Sequence, residues 1–204
     1  MQIIKIYPRG FGSNTYFLTA DNKTAIVIDP SSPRVLDELN KRGLAASFVL
    51  LTHEHFDHTA GVETLQSSGA KVLCMAQAKE QVGTKTDCSW FFNAPPAEYT
   101  LDDVFQDGEE KTLDGIKIKA WHTPGHTQGG GCYFVEEENA LFTGDTLFLG
   151  TVGRTDLPTG DGEKLRESIR RLSALSGWKV YAGHGEDTTI DYEKIHNPFM
   201  IDRE

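Results

Sequence analysis

Cysteine and basic residues are scarce in this sequence. Its 204 residues include three Cys, with no CxxC pair among them, which excludes a disulfide framework and indicates a reducing environment. The 20 Lys and Arg residues are outnumbered by 30 Asp and Glu, so the chain would repel a polyanion. We therefore expect a cytoplasmic protein that does not bind nucleic acid.

Long hydrophobic segments are also missing. No apolar run approaches the ~20 residues of a membrane span, and the amino-terminal MQIIKIYPRG is too poor in apolar residues for a secretory signal. The sequence therefore predicts no membrane partner. A chain of 204 residues can bury one substantial core, and we expect a single domain over residues 1–204.

The densest feature that is present is THEHFDHTAG at residues 52–61, directly after an apolar run. It contains four candidate metal ligands, which are His53, His55, Asp57 and His58. If residues 47–52 form a buried strand, alternation with period two delivers His53 and His55 to one side of the exit loop. Three imidazoles and a carboxylate exceed what one tetrahedral zinc uses from so short a stretch, so the spacing predicts two neighbouring cations. A loop that is rich in His by chance is the alternative, but three of the seven His residues lie here.

The two halves of the chain repeat one order of predicted elements. The first half reads hairpin (14–28), Asp29, helix (33–42), strand (47–52) and His53. The second half reads hairpin (131–143), Asp145, helix (163–175), strand (178–182) and His184. A duplicated β-β-α-β unit is expected to pack as an α/β fold, a four-layer αββα sandwich with two sheets face to face. Polar residues from both halves then meet at one edge.

Other strands of the pattern also end in candidate ligands beside glycines. These are His126, Asp145 and His184, and the glycines let the backbone bend at each strand exit. His122 lies within a strand pattern and is interpreted as a core or hydrogen-bonded residue. Between the halves the pattern predicts helices at 59–68 and 76–83 and a strand at 71–74. Residues 84–98, which include Trp90, Phe91 and Phe92, are irregular and form either a lid over the site or a loop that packs aromatics on the core.

Four pieces of sequence together resemble the metal signature of the metallo-β-lactamase superfamily: THEHFDH, His126 in GHT, Asp145 in GDT and His184 in GHG. Within it the chain is most similar to glyoxalase II (hydroxyacylglutathione hydrolase) and its short relatives, through GDTLFLGTVGRTDLP and HNPF. The resemblance implies one metal on His53, His55 and His126, a second on Asp57, His58 and His184, and a bridging Asp145. It also suggests Asp29 as a supporting acid, with a cap before the helix as the alternative. Arg154 is suggested as a substrate contact, with an ion pair to Asp156 as the alternative.

The implied ligands offer nitrogen and oxygen but no thiolate, which suits two divalent ions, either zinc or else iron or manganese. The resemblance implies a hydrolase in which a metal-bridging hydroxide, oriented by Asp57, attacks the carbonyl of a small S-hydroxyacyl glutathione-like thioester. A thioester is favoured because a thiolate leaves without a strong general acid. Only twenty residues follow His184, so we expect none of the carboxyl-terminal helical domain that forms much of the glutathione pocket in the best-known glyoxalase II enzymes.

Three alternatives use the same residues differently. A persulfide dioxygenase would hold a single iron in the first site, and a lactonase or other ester hydrolase would differ mainly in the leaving group. A metal-stabilised structural module is disfavoured, because structural zinc sites are usually closed and rich in Cys.

Overall fold

Two six-stranded mixed sheets form the centre of the molecule in the computed structural model, which describes residues 1–8, 10 and 12–201. The last three positions of the predicted 1–204 domain lie outside the described residues. The first sheet contains β1 (Gln2–Ile6), β2 (Thr15–Thr19), β3 (Thr24–Ile28), β4 (Ala45–Leu50), β5 (Lys71–Met75) and β6 (Asp103–Phe105). The second contains β7 (Glu110–Leu113), β8 (Ile116–His122), β9 (Gly131–Val135), β10 (Ala140–Gly144), β13 (Lys179–Ala182) and β14 (Thr188–Thr189). In both sheets the spatial order of the strands follows the chain.

Helices and one small hairpin complete the fold. The helices are α1 (Val35–Asn40), α2 (Phe56–Thr59), α3 (Val62–Ser67), α4 (Gly162–Ser173) and α5 (Ile190–His196), and the separate hairpin pairs β11 (Leu147–Phe148) with β12 (Thr151–Val152). In α4, the Asp161 side chain caps the amino end, and Leu165, Ile169 and Leu172 form a buried stripe at helical spacing. None of the helices in the described residues is long and apolar enough to cross a membrane.

Three hydrophobic clusters show the order of the layers. The central cluster joins inward-facing side chains of both sheets, such as Tyr16 and Leu50 from the first and Tyr133 and Phe142 from the second. A second cluster packs α1 and α3 on the outer face of the first sheet, and a third packs α4 and α5 on the outer face of the second. Because each sheet is covered on both faces, residues that point either way along β2 are all buried. The predicted four-layer αββα sandwich is confirmed.

The predicted internal duplication is visible in the strand pairing. In the first half β2 and β3 are antiparallel, and α1 connects β3 to the parallel strand β4. In the second half β9 and β10 are antiparallel, and α4 connects β10 to the parallel strand β13. The two units have the same directions and connections, so the ends of β4 and β13 occupy corresponding places.

The structure departs from the predicted elements in the middle of the chain. The helix predicted at 59–68 is present as α3 at Val62–Ser67, and a separate short helix, α2, precedes it. Gly61 lies between them and packs so closely on Ser32 and Pro30 that a Cβ would lie 2.4 Å from the Ser32 carbonyl oxygen. The helix predicted at 76–83 is wrong, because only Ala76–Ala78 forms a single 3-10 turn. The backbone hydrogen bonds there join residues three apart, as from Gln81 N to Ala78 O, and not four apart as in an α-helix. Strands β6, β11 and β12 are too short to produce an alternating pattern in the sequence. They form because each pairs with a neighbouring strand.

Candidate metal centre

The seven predicted metal ligands lie where strands of the two sheets end. His53 and His55 follow β4, Asp57 and His58 are in α2, His126 is in the β8–β9 loop, Asp145 follows β10, and His184 follows β13. Their ligand atoms form three groups, each with all atoms within 4.8 Å of one another: His53, His55 and His126; His53, His58 and Asp145; and Asp57, His58 and His184. The structure therefore brings all seven side chains together at one edge of the sandwich.

Asp145 lies between the two outer groups. Its Oδ2 is 3.5 Å from Nε2 of His126 on one side and 3.6 Å from Nε2 of His184 on the other. Its Oδ1 is 3.2 Å from Nε2 of His58. In the outer groups, Nε2 of His126 is 2.9 Å from Nδ1 of His55, and Nε2 of His184 is 3.1 Å from Oδ2 of Asp57. One carboxylate thus contacts ligand atoms from both groups.

The donor set fits a divalent cation. Nε2 of His55 is buried without a hydrogen-bond partner in the part of the chain that the structure describes, and Nδ1 of the same ring faces nitrogens of His53 and His126 at 3.1 and 2.9 Å. Ring nitrogens that converge in a buried place repel each other or lose hydrogen bonds unless a positive charge lies between them. Neutral imidazoles and carboxylates are the ligands that such ions take.

Burial and neighbouring charges control the protonation of these groups. Burial, together with neighbouring imidazoles, lowers the pKa of His53 well below its usual value and the pKa of His55 to about 3. Burial acts in the same direction on His58, but the carboxylates of Asp145, Asp57 and Asp29 outweigh it and raise the pKa of that ring well above the usual value. Burial opposes ionisation of Asp145, yet the surrounding His side chains hold its pKa well below the usual value. Without a cation, the proton on His58 compensates these carboxylates.

Asp29 supports the centre from behind. It is buried, its Oδ1 accepts a hydrogen bond from Thr52 N at 2.8 Å, and its Oδ2 accepts one from Thr52 Oγ1 at 2.6 Å. The same Oδ2 is 2.9 Å from Nδ1 of His58. A carboxylate there assigns the proton to Nδ1, which leaves Nε2 of His58 facing Asp145 as a ligand atom. The position suggested for a supporting acid is thus in contact with a predicted ligand.

The other loops are held by hydrogen bonds to the backbone. Nδ1 of His126 is 2.7 Å from the carbonyl oxygen of Arg154, which orients that ring. The side-chain amide of Asn14 donates to the carbonyl oxygens of Ala182 and Gly185, both at 3.0 Å, on either side of His184. These contacts position ligands from the second half of the chain before any cation binds.

Glu54 is a buried residue beside the centre and is not among the predicted ligands. Its side chain points away from those of His53 and His55, and its Oε2 accepts a hydrogen bond from Thr127 Oγ1 at 3.0 Å. Oε1 is 3.5 Å from Thr159 Oγ1. Glu54 therefore ties the first ligand segment to the loop that carries His126. The direction of the Glu54 side chain could have been predicted from the sequence, because side chains alternate along an extended segment and a residue between two ligands faces the opposite side.

Two side chains that the sequence left open have definite partners. Arg154 forms an exposed bidentate ion pair with Asp156, in which its Nε and Nη2 lie 2.6 and 2.7 Å from the two carboxylate oxygens. This ion pair is the alternative that the sequence suggested for Arg154. Its role as a substrate contact stays a prediction. His122 is in β8, and its Nε2 is 2.9 Å from the Gln128 carbonyl oxygen, as expected of a hydrogen-bonded strand residue.

We expect Asp29→Ala to weaken zinc binding by about 10- to 100-fold, because such supporting contacts orient a ligand ring and raise its basicity. The substitution removes the acceptor that faces His58 and leaves Thr52 without its partner. Competition with a coloured chelator measures the affinity, and Asp37→Ala on exposed α1 is the control. If Asp29→Ala bound zinc as tightly as the control, Asp29 would serve only the local backbone.

An αββα sandwich that gathers His and Asp side chains at one edge defines a class of protein, the metal-dependent hydrolases of this fold. The chain belongs to the metallo-β-lactamase superfamily, since the family model described as "Metallo-beta-lactamase superfamily" matches residues 8–184. Members of this superfamily bind divalent metals, and the chain is a metallo-hydrolase.

Known proteins resemble the chain over nearly its full length. The hydroxyacylglutathione hydrolase GloC of Haemophilus influenzae is 34% identical over 206 residues, which cover 97% of each chain. The crystal structure of the BLEG-1 B3 metallo-beta-lactamase superposes with a TM-score of 0.90 at 30% identity, and covers 98% of this chain and 100% of that one. The crystal structure of TTHA1623 in a di-iron-bound form superposes with a TM-score of 0.86 at 29% identity, and covers 96% and 99%.

Proposed function

We propose that the protein is a thioesterase of the glyoxalase II type, which hydrolyses S-hydroxyacyl glutathione-like thioesters. The observation that carries the proposal is the pair of adjacent ligand groups with Asp145 in contact with both, built from nitrogen and oxygen donors without a thiolate. The similarity to the hydroxyacylglutathione hydrolase GloC over 97% of both chains supports the substrate class.

The proposed first site consists of His53, His55 and His126, the second of Asp57, His58 and His184, and Asp145 contacts both. Two divalent cations, when bound there, supply Lewis acidity that makes water a nucleophile near neutral pH and polarises an acyl carbonyl. Zinc is the first candidate, and the di-iron form of TTHA1623 makes iron the second.

The protein's own groups shape the reaction at this site. Burial raises and His58 lowers the pKa of Asp57, and the net direction is downward, so this carboxylate stays ionised and can accept a hydrogen bond from the attacking water. Its Oδ2 lies 3.1 Å from Nε2 of His184, whose side chain is 38% exposed while that of His58 is buried. Substrate therefore enters from the His184 side, and His53 and His58 close the site from behind.

The leaving group that suits this site best is the thiolate of a thioester. Glu54, which lies in the chain between the predicted ligands His53 and His55, is buried and already hydrogen-bonded to Thr127, so it does not offer a proton at the mouth of the site. A thiolate leaves without such a donor, whereas an amine or alkoxide needs one. The absence of a free general acid around the described centre thus favours thioesters over amides.

The test uses the full chain, stripped of metal and reloaded with zinc or iron. We expect about two metals per chain by elemental analysis, and release of free thiol from S-D-lactoylglutathione. Oxygen uptake on glutathione persulfide with one iron per chain would replace the proposal by a persulfide dioxygenase. Turnover of a β-lactam or a lactone without thioester hydrolysis would move it to another hydrolase of the same fold.

A further inference from the structure

Three large aromatic side chains lie exposed side by side on the 3-10 turn Ser89–Phe92. Trp90 is 54% exposed, Phe91 56% and Phe92 38%, and the rings of Trp90 and Phe91 stack with centroids 3.9 Å apart. Neighbouring aromatics that remain open to water usually serve to bind something, since burying them elsewhere would stabilise the fold.

The turn that presents these rings is firmly held. Asp87 is buried, and its carboxylate accepts hydrogen bonds from Ser89 N at 2.9 Å and from Ala97 N at 3.2 Å. Cys88 and Asn93, at the two ends of the turn, adopt the left-handed conformation with φ of 58° and 51°, which disfavours ordinary side chains. A buried carboxylate and two such residues define the turn, so the rings are presented by a fixed support.

This turn borders the proposed metal centre. The ring of Phe92 is 5.5 Å from that of Phe56, and Phe56 lies in the chain between the predicted ligands His55 and Asp57. The pKa of Cys88 is raised to about 11, first by burial and then by carboxylates that include Asp57, which agrees with this location. We call Phe56, Trp90, Phe91 and Phe92 the aromatic rim.

Apolar side chains also lie near His184, the exposed predicted ligand. The ring of Phe148 lies 6.2 Å from that of His184, and the next residue, Leu149, is 45% exposed. A substrate that reaches the centre past His184 thus meets apolar surface beside that ligand.

The size and chemistry of the aromatic rim indicate its occupant. Its three exposed rings offer roughly 300 Å² of surface, whereas a stable protein interface needs about 800 Å² from each partner. The glutathione part of a thioester carries two carboxylates and an ammonium group, which lose water at high cost against uncharged rings. An apolar acyl group loses none of these interactions and gains from leaving water.

We propose that the aromatic rim binds the acyl group of the substrate, and that the enzyme therefore prefers thioesters with long or aromatic acyl groups to lactoyl thioesters. The inference rests on the proposed thioesterase function and assigns the substrate class within it. Each methylene that becomes buried against the rim then raises kcat/KM by up to about fourfold.

The experiment compares S-D-lactoyl-, S-acetyl-, S-butyryl-, S-hexanoyl- and S-phenylacetylglutathione with the metal-loaded full chain. We expect kcat/KM to rise at least tenfold from acetyl to hexanoyl. Phe92→Ala and Phe91→Ala should flatten this dependence by lowering kcat/KM for the hexanoyl and phenylacetyl thioesters more than for the acetyl thioester, because a short acyl group buries little surface against the rim. Ile195→Ala on α5, which truncates a side chain that is 69% exposed, is the control and should keep the full dependence.

The outcomes separate the two proposals. If no thioester is hydrolysed, the thioesterase function fails and the acyl preference fails with it. If all thioesters are hydrolysed with equal kcat/KM and the rim variants change nothing, the thioesterase stands and the inference is overturned. A shift from dimer to monomer in sedimentation of Phe91→Ala, without an effect on substrate choice, would identify the rim as a contact between two copies and also overturn it.

Discussion

Asp145→Asn is expected to lower kcat/KM for S-D-lactoylglutathione by at least about 1,000-fold, since a metal centre contributes several kcal/mol to transition-state stabilisation and each 1.36 kcal/mol is tenfold in rate. The substitution keeps the shape of the side chain but removes a negative charge that contacts both ligand groups, with Oδ2 3.5 Å from Nε2 of His126 and 3.6 Å from Nε2 of His184. Metal content should fall from about two equivalents per chain to one or fewer, because the amide is a weaker ligand and does not bridge.

Asp37→Asn makes the same chemical change on an exposed residue of α1 and should keep both activity and metal content. Circular dichroism separates a loss of fold from a loss of ligand, since all three proteins should have the same spectrum. An Asp145→Asn variant that kept two metals and full turnover would show that Asp145 is not a shared ligand, and its assignment to both sites would have to be abandoned.

The second large effect concerns pH. Without metal, the protein is expected to be most stable near pH 6.5 and to lose stability steeply toward acid. Burial holds the pKa of His55 at about 3 and that of His53 well below 6.5. As pH falls through 6.5, the unfolded chain therefore takes up protons on two rings that the folded protein leaves neutral, and unfolding becomes more favourable.

His58 acts in the opposite direction. Neighbouring carboxylates overcome the effect of burial and raise its folded pKa well above 6.5, so its contribution to stability is complete below pH 6.5 and is lost as pH rises through the folded pKa. Below pH 6.5 the contribution of His58 stays constant and the two rings with lowered pKa set the slope, whereas above pH 6.5 His58 sets it. Stability therefore declines on both sides, and more steeply toward acid.

Urea unfolding of the metal-free chain between pH 4.5 and 8.5 measures this profile. His55→Asn should flatten the acid side, because one of the two neutral buried rings is removed. Substituting His196, which is exposed on α5, should leave the profile unchanged. A midpoint that stayed constant across this range, or rose toward acid, would contradict the protonation pattern of the centre.

The sequence was informative where residues of metal-ligand type occur next to a segment with a clear pattern of alternating side chains. The THEHFDH segment shows four candidate ligands within six residues, and alternation along an extended chain predicts which of them share a side. The duplicated order of hairpin, helix and strand predicts the αββα sandwich, because parallel strands of two equal units end at corresponding places. Both inferences depend on short-range patterns, which a linear sequence preserves.

The sequence was least informative where a contact with a distant residue overrides local preference. Residues 76–83 have a helical pattern, yet Ala78 packs against Gly129, where a Cβ would lie 2.5 Å from the Cβ of Ala78, and the segment forms a single 3-10 turn at Ala76–Ala78 instead. The direction of Glu54 toward Thr127 and the ion pair of Arg154 with Asp156 are also decided by neighbours from other parts of the chain.

By itself, the sequence determined which residue types are available for metal binding and that two similar halves carry them, because these properties follow from composition and period. Only the tertiary structure decided that Asp145 reaches both groups, that Asp29 lies behind His58, and that the aromatic rim borders the opening. The physical reason is that each of these contacts joins residues that are far apart in the chain or on different loops, and their distances exist only after two sheets pack face to face and their strand ends meet at one edge.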